Sequence, residues 1–385
     1  MNLRRLSISL LVTASVLSLT CLGWIWYAIH PSSPHAAGQF PLQERWHIQL
    51  EGRGLVNLVS WNEVIYACLG DRVYAIRPQD GTILWQRHLP TSVGEDEFFI
   101  VRYGVVCIVG LPPIELDLDR NRVSVLDAAT GEELWQVTDQ RDRVVFHLAV
   151  GPDAILVSRH YGLTAYDRLT GAVLWRQDGI GSCIWAEGDR VFTDYVVARK
   201  ARNGDELWTT HIVGRIPSAA SGGQEFYVCT TDGTWTALDM EDGRIRWSFK
   251  GGILFDPPLV EPDILCGGNW TSALFALNPT NGQLLWQTHG PIPVPLGAGN
   301  MVGSPVMLDR TIYVRASEDG RVYALSRDTG DGLGSLETYN YWPLGIHGMV
   351  TAGGLLIVPV GDHELYALGP PAASLGRSGD IGGAQ

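Results

Sequence analysis

The stretch VSVLDAATGEELW, Val123 to Trp135, predicts the fold because it encodes two strands joined by a tight turn. Val123 and Val125 alternate with a polar residue, as on a half-buried strand, and the tryptophan lies on the return strand. Gly131 suits the turn because a hairpin of this length usually needs one residue at positive φ, where a Cβ would clash. Asp127 precedes the turn, and we expect its carboxylate to accept hydrogen bonds from the turn amides.

The chain repeats this pattern along most of its length. The complete copies are VYAIRPQDGTILW (73–85), VSVLDAATGEELW (123–135), LTAYDRLTGAVLW (163–175), VVARKARNGDELW (196–208), WTALDMEDGRIRW (235–247) and LFALNPTNGQLLW (274–286). A seventh copy, VYALSRDTGDGLG (322–334), has Gly334 in place of tryptophan, and an eighth, LYALG (365–369), stops before its turn. A period of about 40 residues with strand-type sequence predicts the four-stranded blades of a β-propeller.

The missing half of the eighth copy lies near the other end of the chain. The segment ERWHIQL (44–50) carries Trp46 and has no partner strand before it. Pairing it with LYALG would complete an eighth blade and remove the exposed edges of an open ring. The sequence therefore predicts an all-β fold, an eight-bladed β-propeller of four-stranded antiparallel blades, over residues 44–369.

Seven of the fourteen tryptophans occupy the same repeat position. They are Trp46, Trp85, Trp135, Trp175, Trp208, Trp247 and Trp286. They could form an aromatic binding platform, or each could dock against the neighbouring blade, where a buried ring contributes several kcal/mol. Regular recurrence favours structural docking, because ligand sites occur once or a few times per protein.

The N-terminus predicts a membrane anchor. Residues 1–5 contain Arg4 and Arg5 and are assigned to the cytoplasm, and the uncharged run 6–29 follows. A helix of this length measures roughly 36 Å, enough to span a bilayer. A single transmembrane helix that is not cleaved would place the propeller outside the cytoplasm, in the periplasm or extracellular space.

Two alternatives to the uncleaved anchor remain open. One is a cleaved signal peptide, and the other is lipidation at Cys21, which follows a poor version of a lipobox. All three export the domain. The segment 30–43 is interpreted as a linker, and 370–385, rich in Gly, Ala and Ser, as a disordered tail.

The net charge argues against nucleic-acid binding, and the placement of the cysteines argues against disulfides. A formal net charge of −13 argues against a nucleic-acid partner, which would require a basic surface. Four cysteines lie in apolar strands of different repeats, too far apart for disulfides, and are expected to be buried free thiols. They are Cys68, Cys107, Cys229 and Cys266.

The pattern Y-A-L-D-x-x-T-G-x-x-L-W resembles the repeat of quinoprotein dehydrogenases and of other pyrroloquinoline-quinone-like (PQQ-like) propellers. It differs from WD40 blades, in which aspartate follows the tryptophan. The resemblance covers residues 44–369 and implies eight blades. It supports the fold more strongly than any chemistry, because one fold hosts many functions.

Two branches of this family suggest different functions. Dehydrogenases hold PQQ between a tryptophan and a disulfide of adjacent cysteines, with Ca²⁺ and a catalytic aspartate. This chain has no adjacent cysteines and no C-x-x-C-H haem motif. It is more similar to the non-catalytic branch, which includes the propeller subunit of the outer-membrane β-barrel assembly machinery. We therefore expect a membrane-anchored protein-binding scaffold of the cell envelope without a cofactor. The alternative is a PQQ-dependent dehydrogenase of alcohols or sugars.

An acidic segment of blade 2 is a weak candidate for a metal site. Asp117, Asp119 and Asn121 match the opening of an EF-hand calcium loop. Arg122 stands where that loop needs glycine, and Ala128 where it needs glutamate, so a solvated acidic hairpin is the default interpretation.

Two long segments without strand pattern, 288–305 and 330–348, flank blade 7 on the same face as the acidic segment. The second contains Tyr339, Tyr341 and Trp342, residue types that are enriched at interface hot spots. They are candidates for binding an envelope protein or peptide. Alternatively, these segments compensate for the tryptophan that blade 7 lacks. The sequence contains no H-E-x-x-H, G-x-S-x-G or P-loop motif, and no catalytic residue is assigned.

Overall fold

The computed structural model describes residues 40–52, 56–90, 92–93, 99–111, 122–138, 145–159, 162–179, 183–193, 196–252, 257–268, 274–288, 304–316, 320–338, 348–361 and 363–371. The chain divides into two compact units, 1–39 and Phe40–Gln385, and all described residues belong to the second. The predicted anchor (6–29), most of the predicted linker and residues 372–385 lie outside them. Within the described ranges no helix is long and apolar enough to cross a membrane.

The regular secondary structure of the described residues is β-strand, and the first strand is β1 (Gln43–Gln49). Blade 1 contains β2 (Val56–Trp61), β3 (Val64–Leu69), β4 (Arg72–Ile76) and β5 (Ile83–His88). Blade 2 contains β6 (Ser92–Val93), β7 (Phe99–Arg102), β8 (Val105–Leu111), β9 (Arg122–Asp127) and β10 (Glu133–Thr138). Blade 3 contains β11 (Val145–Val150), β12 (Ala154–Arg159), β13 (Gly162–Asp167) and β14 (Val173–Asp178). Blade 4 contains β15 (Cys183–Glu187), β16 (Arg190–Thr193), β17 (Val197–Lys200) and β18 (Glu206–Thr209).

The second half of the ring follows the same plan. Blade 5 contains β19 (Ser218–Gly222), β20 (Glu225–Cys229), β21 (Thr234–Asp239) and β22 (Ile245–Lys250). Blade 6 contains β23 (Leu259–Glu261), β24 (Ile264–Gly268), β25 (Leu274–Leu277) and β26 (Leu284–Gln287). Blade 7 contains β27 (Val306–Leu308), β28 (Thr311–Arg315), β29 (Arg321–Ser326) and β30 (Gly332–Glu337). Blade 8 contains β31 (Val350–Ala352), β32 (Leu355–Val360), β33 (Glu364–Gly369) and β1. These antiparallel sheets confirm the predicted eight-bladed propeller, and blade 2 has one additional short strand, β6.

Blade 8 combines strands from opposite ends of the propeller sequence. β1 pairs antiparallel with β33, and Trp46 lies opposite Ala367. This pairing confirms the closure predicted from the two incomplete repeats. The packed chain nevertheless begins earlier than the predicted boundary at Glu44, because Phe40 and Leu42 already pack in the hydrophobic cluster between blades 7 and 8.

The first strands of neighbouring blades lie side by side around the ring axis, for example β7 with β11 and β11 with β15. Strand direction alternates within a blade, so the turns after first and third strands lie on one face of the ring. Examples are the turns at 103–104 and 128–132. We call this the turn face, and the opposite one the loop face. Burial between adjacent blades forms the core, as with blades 2 and 3.

The third-to-fourth strand turn of blade 2 has the geometry that its sequence predicts. Asp127 Oδ1 accepts hydrogen bonds from the amides of Ala129 (3.0 Å) and Thr130 (2.9 Å), which confirms its expected role. Gly131 has a φ of +72°. In the equivalent turn of blade 3, the hydroxyl and amide of Thr170 donate to Asp167 and lower the pKa of that carboxyl.

Each of the seven repeat tryptophans donates its indole N–H to a main-chain carbonyl of the next blade. The pairs are Trp46 to Pro78 (2.7 Å), Trp85 to Ala128 (3.0 Å), Trp135 to Arg168 (2.9 Å), Trp175 to Ala201 (2.8 Å), Trp208 to Met240 (3.1 Å), Trp247 to Pro279 (2.7 Å) and Trp286 to Arg327 (2.7 Å). Each ring also covers the turn glycine of that blade, as Trp85 covers Gly131. The tryptophan rings therefore dock each blade against the next one.

The four strand cysteines are buried and free, as predicted: Cys68, Cys107, Cys229 and Cys266. Burial raises the pKa of Cys266 to about 12, so the thiolate is scarce at neutral pH. These residues act as small apolar side chains in the blades.

Candidate functional site at the ring axis

The sites proposed from sequence cannot be placed in this structure. The calcium candidates Asp117, Asp119 and Asn121 lie outside the described residues, as do the partner-binding candidates Tyr339, Tyr341 and Trp342. Within the described ranges, no three His, Cys, Asp or Glu side chains come together as metal ligands. Both sets of residues remain predictions.

A polar cluster that the sequence did not indicate lies at the ends of three first strands. It contains Arg102, Tyr103, Trp185, Glu187 and Ser221, and we call it the axial cluster. Arg102 and Glu187 end β7 and β15, and Ser221 is the penultimate residue of β19. Because first strands surround the axis and run toward the turn face, side chains of blades 2, 4 and 5 meet there.

An ion pair between Arg102 and Glu187 is the centre of the axial cluster. Arg102 Nη2 lies 2.6 Å from Glu187 Oε2, and Nη1 donates to the carbonyl oxygen of Ala186 at 2.6 Å. Ser221 Oγ donates to Glu187 Oε2 at 2.6 Å and accepts from Trp185 Nε1 at 2.9 Å. Both charged side chains retain 30% exposure, so the pair is half-buried.

Aromatic rings and a second arginine support this ion pair. Arg102 Cζ lies 4.9 Å from the centroid of the Tyr103 ring and 5.9 Å from that of Trp185, within the range of cation–π attraction. Arg168 of blade 3 donates to the carbonyl oxygens of Tyr103 (2.5 Å) and Pro152 (2.6 Å). Four consecutive blades are thus connected at the turn face.

The axial cluster holds Glu187 in its ionised form. Burial is the largest single influence and opposes ionisation, but hydrogen bonds from Ser221 and Arg102, with the charge of Arg102, together hold the pKa of Glu187 below its usual value. The ion pair and the hydrogen bond from Ser221 therefore connect blades 2, 4 and 5 through this carboxylate.

We expect Glu187→Gln to destabilise the protein at pH 7 by about 1–2 kcal/mol, because Arg102 would lose its charged partner. The folded-state pKa of Glu187 lies below the ~4.3 of an unfolded glutamate. Its contribution is therefore present above that pH and is lost as the pH falls through the folded-state pKa. Urea unfolding from pH 7 to pH 3 should show the difference from wild type shrinking. The exposed Glu132→Gln serves as control, and a difference independent of pH would contradict the assignment.

One sequence feature, opposite charges at the ends of two first strands, could have indicated the axial cluster. Arg102 and Glu187 each end a first strand, a position where opposite charges could meet across the axis. They are 85 residues apart and belong to blades that are not adjacent. Only the curvature of the closed ring brings them together.

The ring of four-stranded blades, glycine-containing turns and interblade tryptophans defines a PQQ-like propeller. The family model described as "PQQ_2: Outer membrane protein assembly factor BamB" matches residues 43–175 and 159–370, and the chain belongs to this family.

Two solved structures show how widely the fold is shared. BamB from Moraxella catarrhalis superposes with a TM-score of 0.64 and 17% identity, over 85% of this chain and 97% of that one. Quinohemoprotein alcohol dehydrogenase from Comamonas testosteroni has a TM-score of 0.57 and 14% identity, over 85% of this chain and 76% of the enzyme. At these identities the likeness shows the fold alone.

One curated relative matches over a shorter region. The beta-alanine-activating enzyme of Drosophila melanogaster is 26% identical over 207 residues, which is 48% of this chain and 20% of the enzyme. The match therefore spans about a fifth of the enzyme's length.

Proposed function

We propose that this chain is a non-catalytic protein-binding scaffold of the cell envelope, tethered by the predicted helix 6–29. The observation that carries the proposal is the family match, which extends from residue 43 to residue 370 and so includes every blade. The superpositions support the same proposal, because this chain covers 97% of the BamB chain but 76% of the dehydrogenase chain. A propeller of this kind presents loops from many blades on one rigid ring, which suits the binding of a protein partner.

The residues predicted to contact the partner are Tyr339, Tyr341 and Trp342. In the sequence they lie between β30 and β31, outside the described residues. Aromatic side chains contribute large contact areas at low entropic cost, which is why they are enriched at hot spots. The axial cluster lies on the turn face and would keep blades 2 to 5 in a fixed arrangement.

The proposal is tested by purifying the full-length protein from its native membrane and identifying proteins that copurify in a fixed ratio. Replacing Tyr339, Tyr341 and Trp342 together by alanine should reduce that ratio at least tenfold. The control is Val213→Ala, at an apolar side chain that is 92% exposed in the connection from blade 4 to blade 5. An unchanged ratio in the triple variant would refute this partner site, and the absence of any copurifying protein would refute the scaffold.

The second candidate function, a PQQ-dependent dehydrogenase, is suggested by the similarity to the quinohemoprotein enzyme. The residues present do not fit that cofactor. The four described free cysteines lie in four different blades, and no two cysteines are adjacent in the sequence. We therefore expect purified protein with added PQQ and Ca²⁺ to reduce no dye when alcohols or sugars are supplied. Sustained dye reduction would favour the dehydrogenase over the scaffold.

A further inference from the structure

The contact between blades 7 and 8, which we call the seam, is built differently from the other seven. Gly334 in β30 lies opposite Ala324, at the register position where Trp247 lies opposite Ala237 in blade 5. Gly334 has no side chain, yet its backbone is buried. Another group must therefore fill the space that an indole ring fills elsewhere.

The ring of Phe40 lies where the missing indole would contact its own blade. Tyr313 lies opposite Ala324 in β28, and Tyr66 and Tyr227 hold the same register position in blades 1 and 5. Those two tyrosines contact the tryptophans of their own blades, at centroid distances of 6.1 Å for Trp85 and 5.9 Å for Trp247. Tyr313 instead contacts Phe40 at 5.8 Å.

Leu42 also packs in the seam. It is 9% exposed and packs in one cluster with Ala324 of blade 7 and Leu368 of blade 8. The seven other clusters between described blades each include a repeat tryptophan, and this one does not. Burial of apolar area by Phe40 and Leu42 thus takes the place of burial by an indole ring.

The carbonyl that an indole of the preceding blade reaches at the other contacts accepts its hydrogen bond in blade 8 from within the blade, from Arg45 of β1. In blade 2 the carbonyl oxygen of Ala128, one residue after Asp127, accepts a hydrogen bond from Trp85 of the preceding blade. The corresponding carbonyl oxygens of blades 1 and 3 to 7 accept the same hydrogen bond. The equivalent carbonyl of blade 8 belongs to Pro370, which follows Gly369. It accepts a hydrogen bond from Arg45 Nη2.

We propose that the seam is a docking site for an extended peptide, and that residues 40–42 are its resident ligand. The site recognises an aromatic side chain and an aliphatic one two positions later. Together they supply the apolar volume that a single tryptophan supplies at the other contacts, while Arg45 of β1 supplies the hydrogen-bond donor from within blade 8. The segment can enter here because the third and fourth strands of blade 8 come from opposite ends, so no turn joins them.

A mutant cycle in the full chain tests this proposal. Replacing Phe40 and Leu42 together by alanine should raise the unfolding equilibrium constant about 100-fold, the order expected for truncating buried apolar side chains. Gly334→Trp in the wild-type chain should also destabilise, because the indole competes with Phe40 for the same space. In the double-alanine background Gly334→Trp should instead restore at least roughly tenfold of the loss, a coupling that contacting residues show. Gln43→Ala, at the exposed position of β1 that follows this segment, should change little.

Hydrogen exchange locates the effect. The double-alanine variant should lose amide protection in β28, β30 and β31, and retain it in β12 and β13. If that variant does not fold, the same cycle is measured with Phe40→Leu alone. The proposal is overturned if Gly334→Trp changes the unfolding constant by the same factor in both backgrounds, or if exchange rises evenly around the ring.

Discussion

Deleting residues 43–49 is expected to abolish the cooperative unfolding of the whole ring. The deletion removes β1, which supplies six register pairs with β33 and the docking of Trp46 on blade 1. Without β1, strand β33 would become an open edge, and the contact between blades 8 and 1 would lose a large aromatic ring. Since the hydrophobic clusters lie between neighbouring blades, an opening at one such contact exposes apolar surface on two blades.

Urea titration, followed by tryptophan fluorescence and circular dichroism, measures this effect. The wild-type protein should show one transition, and the deletion variant should lack a folded baseline. The control ends the chain at Pro371, which keeps every described strand and should preserve the wild-type midpoint. A deletion variant with a cooperative transition at that midpoint would show that the closure contributes nothing to stability.

The second large effect is expected at the turn glycines. Gly131 has a φ of +72°, and a Cβ added there would lie 2.6 Å from Cε3 of Trp85. Gly179 has the same φ, but a Cβ there would meet none of the described residues within 4 Å. Gly179→Ala should therefore cost only the left-handed backbone penalty of about 1–2 kcal/mol. Gly131→Ala should cost about 1–3 kcal/mol more, because the docked indole must move.

The difference in the free energy of unfolding between these two variants measures the turn–indole contact alone. Both are compared with wild type by urea unfolding at one temperature and protein concentration. Equal losses in the two variants would mean that the indole yields without cost and that only backbone strain requires glycine at position 131.

Local patterns were sufficient to predict the blades and the closure. Asp127 and Gly131 specify a turn whose hydrogen bonds involve residues within five positions, and the structure has that turn. Trp46 was assigned to the last blade because its segment continued a repeat that the C-terminal copy left unfinished. Repetition also revealed the shared position of the seven tryptophans.

Contacts that depend on the closed ring were not predictable from the same patterns. Phe40 and Leu42 belonged to an apparent linker, because two apolar residues there show neither the helical nor the strand period. Arg102 and Glu187 are common surface residues at the ends of ordinary strands. Their proximity depends on the angle between successive blades, which no short stretch encodes.

The sequence by itself determined how many blades this protein has, where each turn occurs and which strand completes the ring. Those features follow from periodicity and from backbone conformations that only glycine adopts easily. The tertiary structure decided what lies at the axis and at the seam. The physical reason is that closing the ring places residues from distant repeats at one axis and leaves one contact without its tryptophan. The axial ion pair and the docking of residues 40–42 are therefore products of closure and not of any single repeat.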